Sequence, residues 1–184
     1  MLRNPLAVAI AIVAIVVVVV TYRFYFAQTG GSAGNAFGGG PSVLAGAPAQ
    51  SYPLVDLTGK SDSLDRYRGR VVLLNLWASW CAPCRSETPA LERLYEAERS
   101  KGLVVLGIDQ GESRRVAASF AAEMGLHYPI LVDEEQLYGR AYESIGLPTS
   151  VVVDRSGRIV RGIDGELTLA QMREAVGPSL RASE

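Results

Sequence analysis

The sequence predicts an α/β fold in which a mixed central sheet is flanked by helices. Three observations carry this. Val71–Trp77 and Leu103–Asp109 are nearly continuous apolar runs, as strands buried on both faces of a sheet require. The segment between them has helical spacing, which makes a βαβ unit with parallel strands. Thr149–Val153 and Arg158–Ile163 flank the turn Asp154-Arg155-Ser156-Gly157 and read as an antiparallel hairpin.

Taken in order, Ser51 to Arg70 holds two turn signals and predicts a small hairpin on the sheet edge. After the first buried strand, Leu91, Leu94 and Tyr95 recur at three- and four-residue spacing, with Glu92, Arg93, Glu96 and Arg99 on the other face, and Gly102 ends that helix. A second amphipathic helix is expected from about Ser113 to Met124, with Val116, Phe120 and Met124 on one stripe. Tyr128–Val132 reads as a short strand, Glu135–Glu143 as a short helix and Leu167–Val176 as the closing helix.

The chain has 184 residues, of which the first fifty differ in composition from the rest, so the folded part is about 135 residues and one core is expected. Net charge is −1, from 18 basic and 19 acidic residues, with no basic stripe suited to a phosphate backbone; nucleic acid is excluded as a partner. Two cysteines separated by two residues cannot build a long-range disulfide framework. With the single His127 they also leave too few soft ligands for a structural zinc site, so no metal is expected.

Asn4 to Tyr22 carries no charge, and Pro5 to Val20 is almost wholly Ala, Val, Ile and Leu. This predicts one transmembrane helix within an anchor spanning residues 1–26, with Tyr22, Phe24, Tyr25 and Phe26 at the interface. A cleaved signal peptide and a buried core helix are the alternatives. The aromatic cluster occupies the place of a cleavage site, and the following residues offer a core helix no partner. Arg3 and the amino terminus against Arg23 favour a cytoplasmic N-terminus, which puts the folded domain outside the cytoplasm in a single-pass cell-membrane protein. Residues 27–45 are rich in Gly, Ser, Ala and Pro and read as a flexible tether with a reach of roughly 25–30 Å. The folded domain is then 46–184.

The chemistry is expected at Trp80-Cys81-Ala82-Pro83-Cys84. Cys81 falls where strand gives way to helix, so its sulfur faces unpaired N–H groups at the positive end of the helix dipole, which favours thiolate over thiol. Cys84 lies one turn on, and Pro83 gives up an N–H that the first helical turn does not use. The blander readings, a buried thiol pair or half a metal site, do not account for the strand before and the helix after the motif.

Leu76-Trp77-Ala78-Ser79-Trp80-Cys81-Ala82-Pro83-Cys84-Arg85-Ser86-Glu87-Thr88-Pro89 resembles the active-site segment of membrane-anchored thioredoxin-like proteins of the TlpA and ResA type, which are related to the cytochrome c maturation reductases. Gly46-Ala47-Pro48 with Leu54–Lys60 and Leu64–Val72 resembles that family's N-terminal hairpin, and Gly146-Leu147-Pro148-Thr149 with Val153–Ile159 resembles its cis-proline loop and final hairpin. The resemblance implies a thioredoxin fold with a central helix and strand insertion over Glu112 to Glu143. It implies Cys81 as the attacking and Cys84 as the resolving cysteine of a redox-active disulfide. It also implies a cis Pro148 whose loop, with Leu147 and Thr149, meets an extended substrate beside Trp80 and Pro83. On residues alone Pro148 is equally an ordinary trans turn proline.

Where thioredoxins carry a buried acid on the strand before the motif, this chain has Asn75. The resemblance gives that role to Glu87, as a buried acid relaying the Cys84 proton; the alternative is an acid placed for the helix dipole. Trp77 is expected in the core. Arg85 either holds thiolate charge or is solvated. Asp109, at the end of a strand, is expected as a loop acid near the site with no assigned role.

The function implied is reduction of disulfides in substrate proteins, for example during cytochrome c maturation, with no cofactor and with a membrane-embedded electron donor to recharge the pair. The same cysteines also suit a thiol oxidant, or a Cu(I)-binding metallochaperone module that would add His127. A peroxidase of the peroxiredoxin branch would need Thr or Ser at Ala78.

Overall fold

The computed structural model describes residues 14–15, 17–21 and 44–182. The chain divides into two units, Met1–Ala36 and Phe37–Glu184. In the first, residues 14–15 and 17–21 are helical, and Ile15, Val17, Val18, Val19 and Val20 are exposed. Most of the expected anchor over 1–26 and nearly all of the tether over 27–45 lie outside the described residues. Among the described residues no helix is long and apolar enough to cross a membrane.

Among the described residues of the second unit lies a seven-stranded mixed sheet. Its strands are β1 (Leu54–Asp56), β2 (Ser61–Asp62), β3 (Val71–Trp77), β4 (Leu103–Gln110), β5 (Ile130–Asp133), β6 (Thr149–Val153) and β7 (Ile159–Asp164), in the spatial order β2-β1-β5-β4-β3-β6-β7. β3, β4 and β5 run parallel, and β6 and β7 add an antiparallel hairpin on one side. The expected edge hairpin is β1–β2 on the other. Every residue of β3 and β4 is buried, as their nearly continuous apolar runs foretell.

Helices α1 (Ala82–Glu98) and α2 (Arg114–Met124) make the crossovers between the parallel strands, α3 (Leu137–Ala141) precedes β6, and α4 (Leu169–Arg181) closes the chain. One core layer packs Leu91 and Leu94 of α1, Phe120 of α2 and Met172 and Val176 of α4 against Leu73, Val105 and Val152 of the sheet. Behind the sheet, Tyr138 and Tyr142 cover Leu74, Leu76 and Leu106. The lead-in also belongs to this second unit: Gly46 N–H donates to the Ile159 carbonyl, and Ile159 N–H donates to that of Ala47.

Four expectations need correction. The strand expected at Tyr128–Val132 is Ile130–Asp133, because parallel pairing with β4 sets its register, Gly107 opposite Ile130 through Gln110 opposite Asp133. The short helix is five residues rather than nine, since Asp133 accepts from the N–H groups of Leu137 and Tyr138 and so fixes its start. The buried stripe of α2 centres on Ala117, Phe120 and Ala121, and Val116 is only half-buried: small residues let the helix sit close to the sheet. The last helix begins two residues later and runs five further than expected, capped by Thr168, whose side chain accepts from Gln171 N–H while Gln171 returns a bond to Thr168 N–H. Gly102 adopts φ 93° after a short 3-10 turn, which is the conformation that ends the α1 segment.

Candidate active site

The cysteine motif sits at the carboxyl end of β3, where the chain turns into α1. Cys81 is the N-cap residue, with extended backbone, and its sulfur accepts a 3.2 Å hydrogen bond from Cys84 N–H. The two cysteines are joined in a disulfide, their Cα atoms 5.3 Å apart. Both are buried, Cys84 more completely at 1 % exposure than Cys81 at 4 %. Pro83 lies exposed in the first turn of α1, on the solvent side of the pair.

Trp77 and Trp80 have opposite fates. Trp77 is buried against Phe120, ring centroids 4.7 Å apart, whereas Trp80 is 71 % exposed. Arg85 is engaged by other partners: it stacks over Phe120, pairs with Glu123 of α2 and donates to the Ser79 carbonyl.

Antiparallel pairing of β3 with β6 sets Leu76 opposite Thr149. The start of β6, led by Pro148, therefore lies beside the end of β3 that carries the motif. The Leu147–Pro148 peptide is cis. Leu147 packs against the core layer that contains both cysteines, and it shares with Trp80 an open groove of about 490 Å3. Gln110, Gln136, Arg140 and Ile145 line the rest of it, and Ile145 is 84 % exposed. The side chain of Thr149 faces inward instead, within 2.8 Å of the Gly146 carbonyl and 2.7 Å of an Asp164 oxygen, and so braces the loop from below.

Glu87 is 1 % exposed, one turn past Cys84 on α1. Its carboxylate accepts 2.6 Å from Asn75 Nδ2 on β3 and 2.8 Å from Leu167 N–H before α4. Burial pushes its pKa up to about 7, against those two hydrogen bonds, and nearby Glu166 adds to the rise. A carboxyl poised near neutrality can exchange a proton with a neighbouring thiol, which Asn75 cannot do.

Two features escaped sequence reading. Asp109, expected at the strand's end as a loop acid, is fully buried because β4 runs on to Gln110, and burial with the nearby Glu112 pushes it up to about 8. Glu112 accepts from both the N–H and the hydroxyl of Ser79, two residues before Cys81. The only available signal was position: Asp109 ends an apolar strand that pairs with the strand of the motif. His127 bonds to Glu92 of α1 through its ring Nδ1 at 3.0 Å. Glu92 is eight residues beyond Cys84, roughly 12 Å along the helix, so His127 and the sulfurs do not form one ligand set.

Known proteins resemble this chain in sequence and fold. The family model of AhpC/TSA proteins matches residues 45–161. The thiol-disulfide oxidoreductase ResA of Geobacillus thermodenitrificans is 33 % identical over 133 residues, covering 72 % of this chain and 76 % of its own. That of Bacillus subtilis is 29 % identical over 138 residues, covering 75 % and 77 %. A crystal structure described as a thiol:disulfide interchange protein DsbE from Chlorobium tepidum superposes with a TM-score of 0.69 at 27 % identity, over 74 % of this chain and 97 % of its own.

Proposed function

We propose, since the chain belongs to the AhpC/TSA family and is a thiol-disulfide oxidoreductase of the ResA and DsbE type, that it reduces disulfides in substrate proteins outside the cytoplasm. The observation that carries this reading is the Cys81 sulfur capping α1 in front of a buried glutamate whose proton affinity lies near neutral pH. In the reduced protein Cys81 is the thiolate and Cys84 the thiol. The Cys81 thiolate attacks one substrate sulfur; an S–S bond forms to the enzyme, the substrate S–S bond breaks, and the departing thiolate takes a proton from solvent. Cys84 then passes its proton to the Glu87 carboxylate and attacks the Cys81 sulfur. This forms the Cys81–Cys84 disulfide and expels the second substrate sulfur as a thiolate, which takes a proton from solvent, while Glu87 releases the one it received. Substrate is reduced by two electrons and the enzyme oxidised by two.

The groove shared by Trp80 and Leu147, next to the exposed Pro83 and the cis-Pro148 loop that Thr149 braces, supports a docking place for an extended substrate beside the cysteine pair. The apolar run Pro5 to Val20 and the Gly/Ser/Ala/Pro stretch after it support a membrane-tethered domain recharged by a membrane-embedded dithiol donor. Apocytochrome c is a substrate of the right chemistry, since its haem-attachment cysteines must be reduced.

Cys84→Ser in the intact chain tests the scheme by stalling it at the mixed disulfide. An adduct with a substrate protein, released by dithiothreitol and absent from Cys81→Ser, supports it. An adduct on Cys81→Ser but not on Cys84→Ser overturns the order of attack, and no adduct on either overturns the reductase reading.

A further inference from the structure

Asp109 lies at the carboxyl end of β4, opposite Trp77 in the parallel ladder with β3. One of its oxygens accepts from Glu112 N–H at 3.2 Å, while the other is buried with no hydrogen-bond partner. The charged groups acting on it are Glu112, in the turn after β4, and Asp133, at the end of β5; both are acidic. An ionised carboxylate with one bare oxygen beside two other acids is a costly thing to bury, whereas a protonated one can donate its hydrogen to Glu112. Glu112 in turn grips Ser79 by its N–H at 2.6 Å and its hydroxyl at 2.7 Å, and Arg85 takes the Ser79 carbonyl. The segment that aims Trp80 and leads into Cys81 is thus held by a chain of bonds that begins on β4.

We propose that Asp109 holds a proton in the resting protein and, through Glu112, positions the Ser79–Trp80 segment beside the reactive disulfide. Loss of that proton to solvent leaves two facing carboxylates, whose repulsion pulls Glu112 from Ser79. It also adds negative charge near sulfurs that must attack and leave as thiolates. Asp109 is a positioning residue that acts through Glu112. Its effect on rate rests on the Cys81–Cys84 pair being the reactive centre, but its protonation does not.

The two can be measured apart. In the oxidised protein the cysteines do not titrate, so carboxyl carbon NMR reads Asp109 directly: a midpoint near 8 is expected, and one in the ordinary carboxylate range overturns the proposal. Tryptophan fluorescence of the same form should change over that range and lose the change in Asp109→Asn but not in Glu87→Gln; persistence in Asp109→Asn overturns the link to Trp80. For rate, disulfide reduction by dithiothreitol is compared as the ratio of Asp109→Asn to wild type, which cancels the reagent's own titration. The ratio should climb a few-fold as pH rises through the Asp109 midpoint. A ratio that stays flat while the NMR midpoint holds removes the positioning role.

Discussion

Asn75 on β3 donates a 2.6 Å hydrogen bond to Glu87 on α1, beneath the cysteine pair. The Leu167 N–H holds the other Glu87 oxygen, so a buried acid is fixed on both sides yet is raised to about 7 by its surroundings. The strand supplies the donor and the helix the acid, and each needs the other: without Asn75 the carboxyl would lose a partner in the core, and without Glu87 the amide would.

The folded Glu87 keeps its proton up to about 7, whereas an unfolded glutamate releases it near 4.5. The folded state therefore binds more protons between those values, so stability falls as pH rises through that window and levels off above it. The gap amounts to about 3 kcal/mol. Glu87→Gln should flatten this part of a urea-denaturation profile, leaving the slope that Asp109 contributes. Removing this carboxyl from beside the pair should also shift the cysteine titration and slow the resolving step; an unchanged titration and rate would remove Glu87 from the relay.

Reduction potential decides the direction of electron flow. A value near the −270 mV typical of thioredoxin is expected for a reductase, and one near the −120 mV typical of strong periplasmic oxidants would mark an oxidant instead. Equilibration with glutathione buffers measures it.

Gly107 on β4 leaves little room for a side chain: a Cβ there would stand a tight 3.0 Å from both the Trp77 indole nitrogen and a Tyr128 ring carbon, so those rings would have to give way. Gly107→Ala should destabilise by about 1–3 kcal/mol through forced repacking of Trp77. Urea denaturation with tryptophan fluorescence reports both effects.

Trp80 is mostly exposed, so Trp80→Ala should change stability by less than about 0.5 kcal/mol. If its ring is a wall of the substrate groove, reduction of a protein disulfide should slow more than reduction of a small aromatic disulfide. Equal slowing would place its effect at the sulfurs.

Thr149→Val keeps the shape of the side chain but strips partners from Asp164 and Ser144 beneath the cis-proline loop. A loss of about 1–3 kcal/mol is expected from those stranded groups. Chemical denaturation measures it.

What was legible in the sequence came from strong local patterns. Buried parallel strands read as nearly continuous apolar runs, the hairpin around Asp154–Gly157 announced itself by turn chemistry, and Cys81-Ala82-Pro83-Cys84 lies between a strand and a helix. Boundaries near β5 and α3 were misplaced because pairing with β4 and the Asp133 carboxylate set them, and both are contacts across the chain. Asp109 shows the same limit. As the last residue of the expected strand it reads as an acid at the loop, and pairing with β3 and β5, which carries β4 on to Gln110, buries it.

Local sequence pattern is enough to set the elements, the cysteine pair and its place at a helix start, because hydrophobic period and helix-capping chemistry act over a few residues. Tertiary structure alone decided which distant groups meet the pair: Asn75 and Leu167 at Glu87, the Leu147–Pro148 loop beside Trp80, and Asp109 through Glu112 at Ser79. Those meetings depend on strand order and register, and the acid pKa values that follow depend on burial, which no short stretch of sequence encodes.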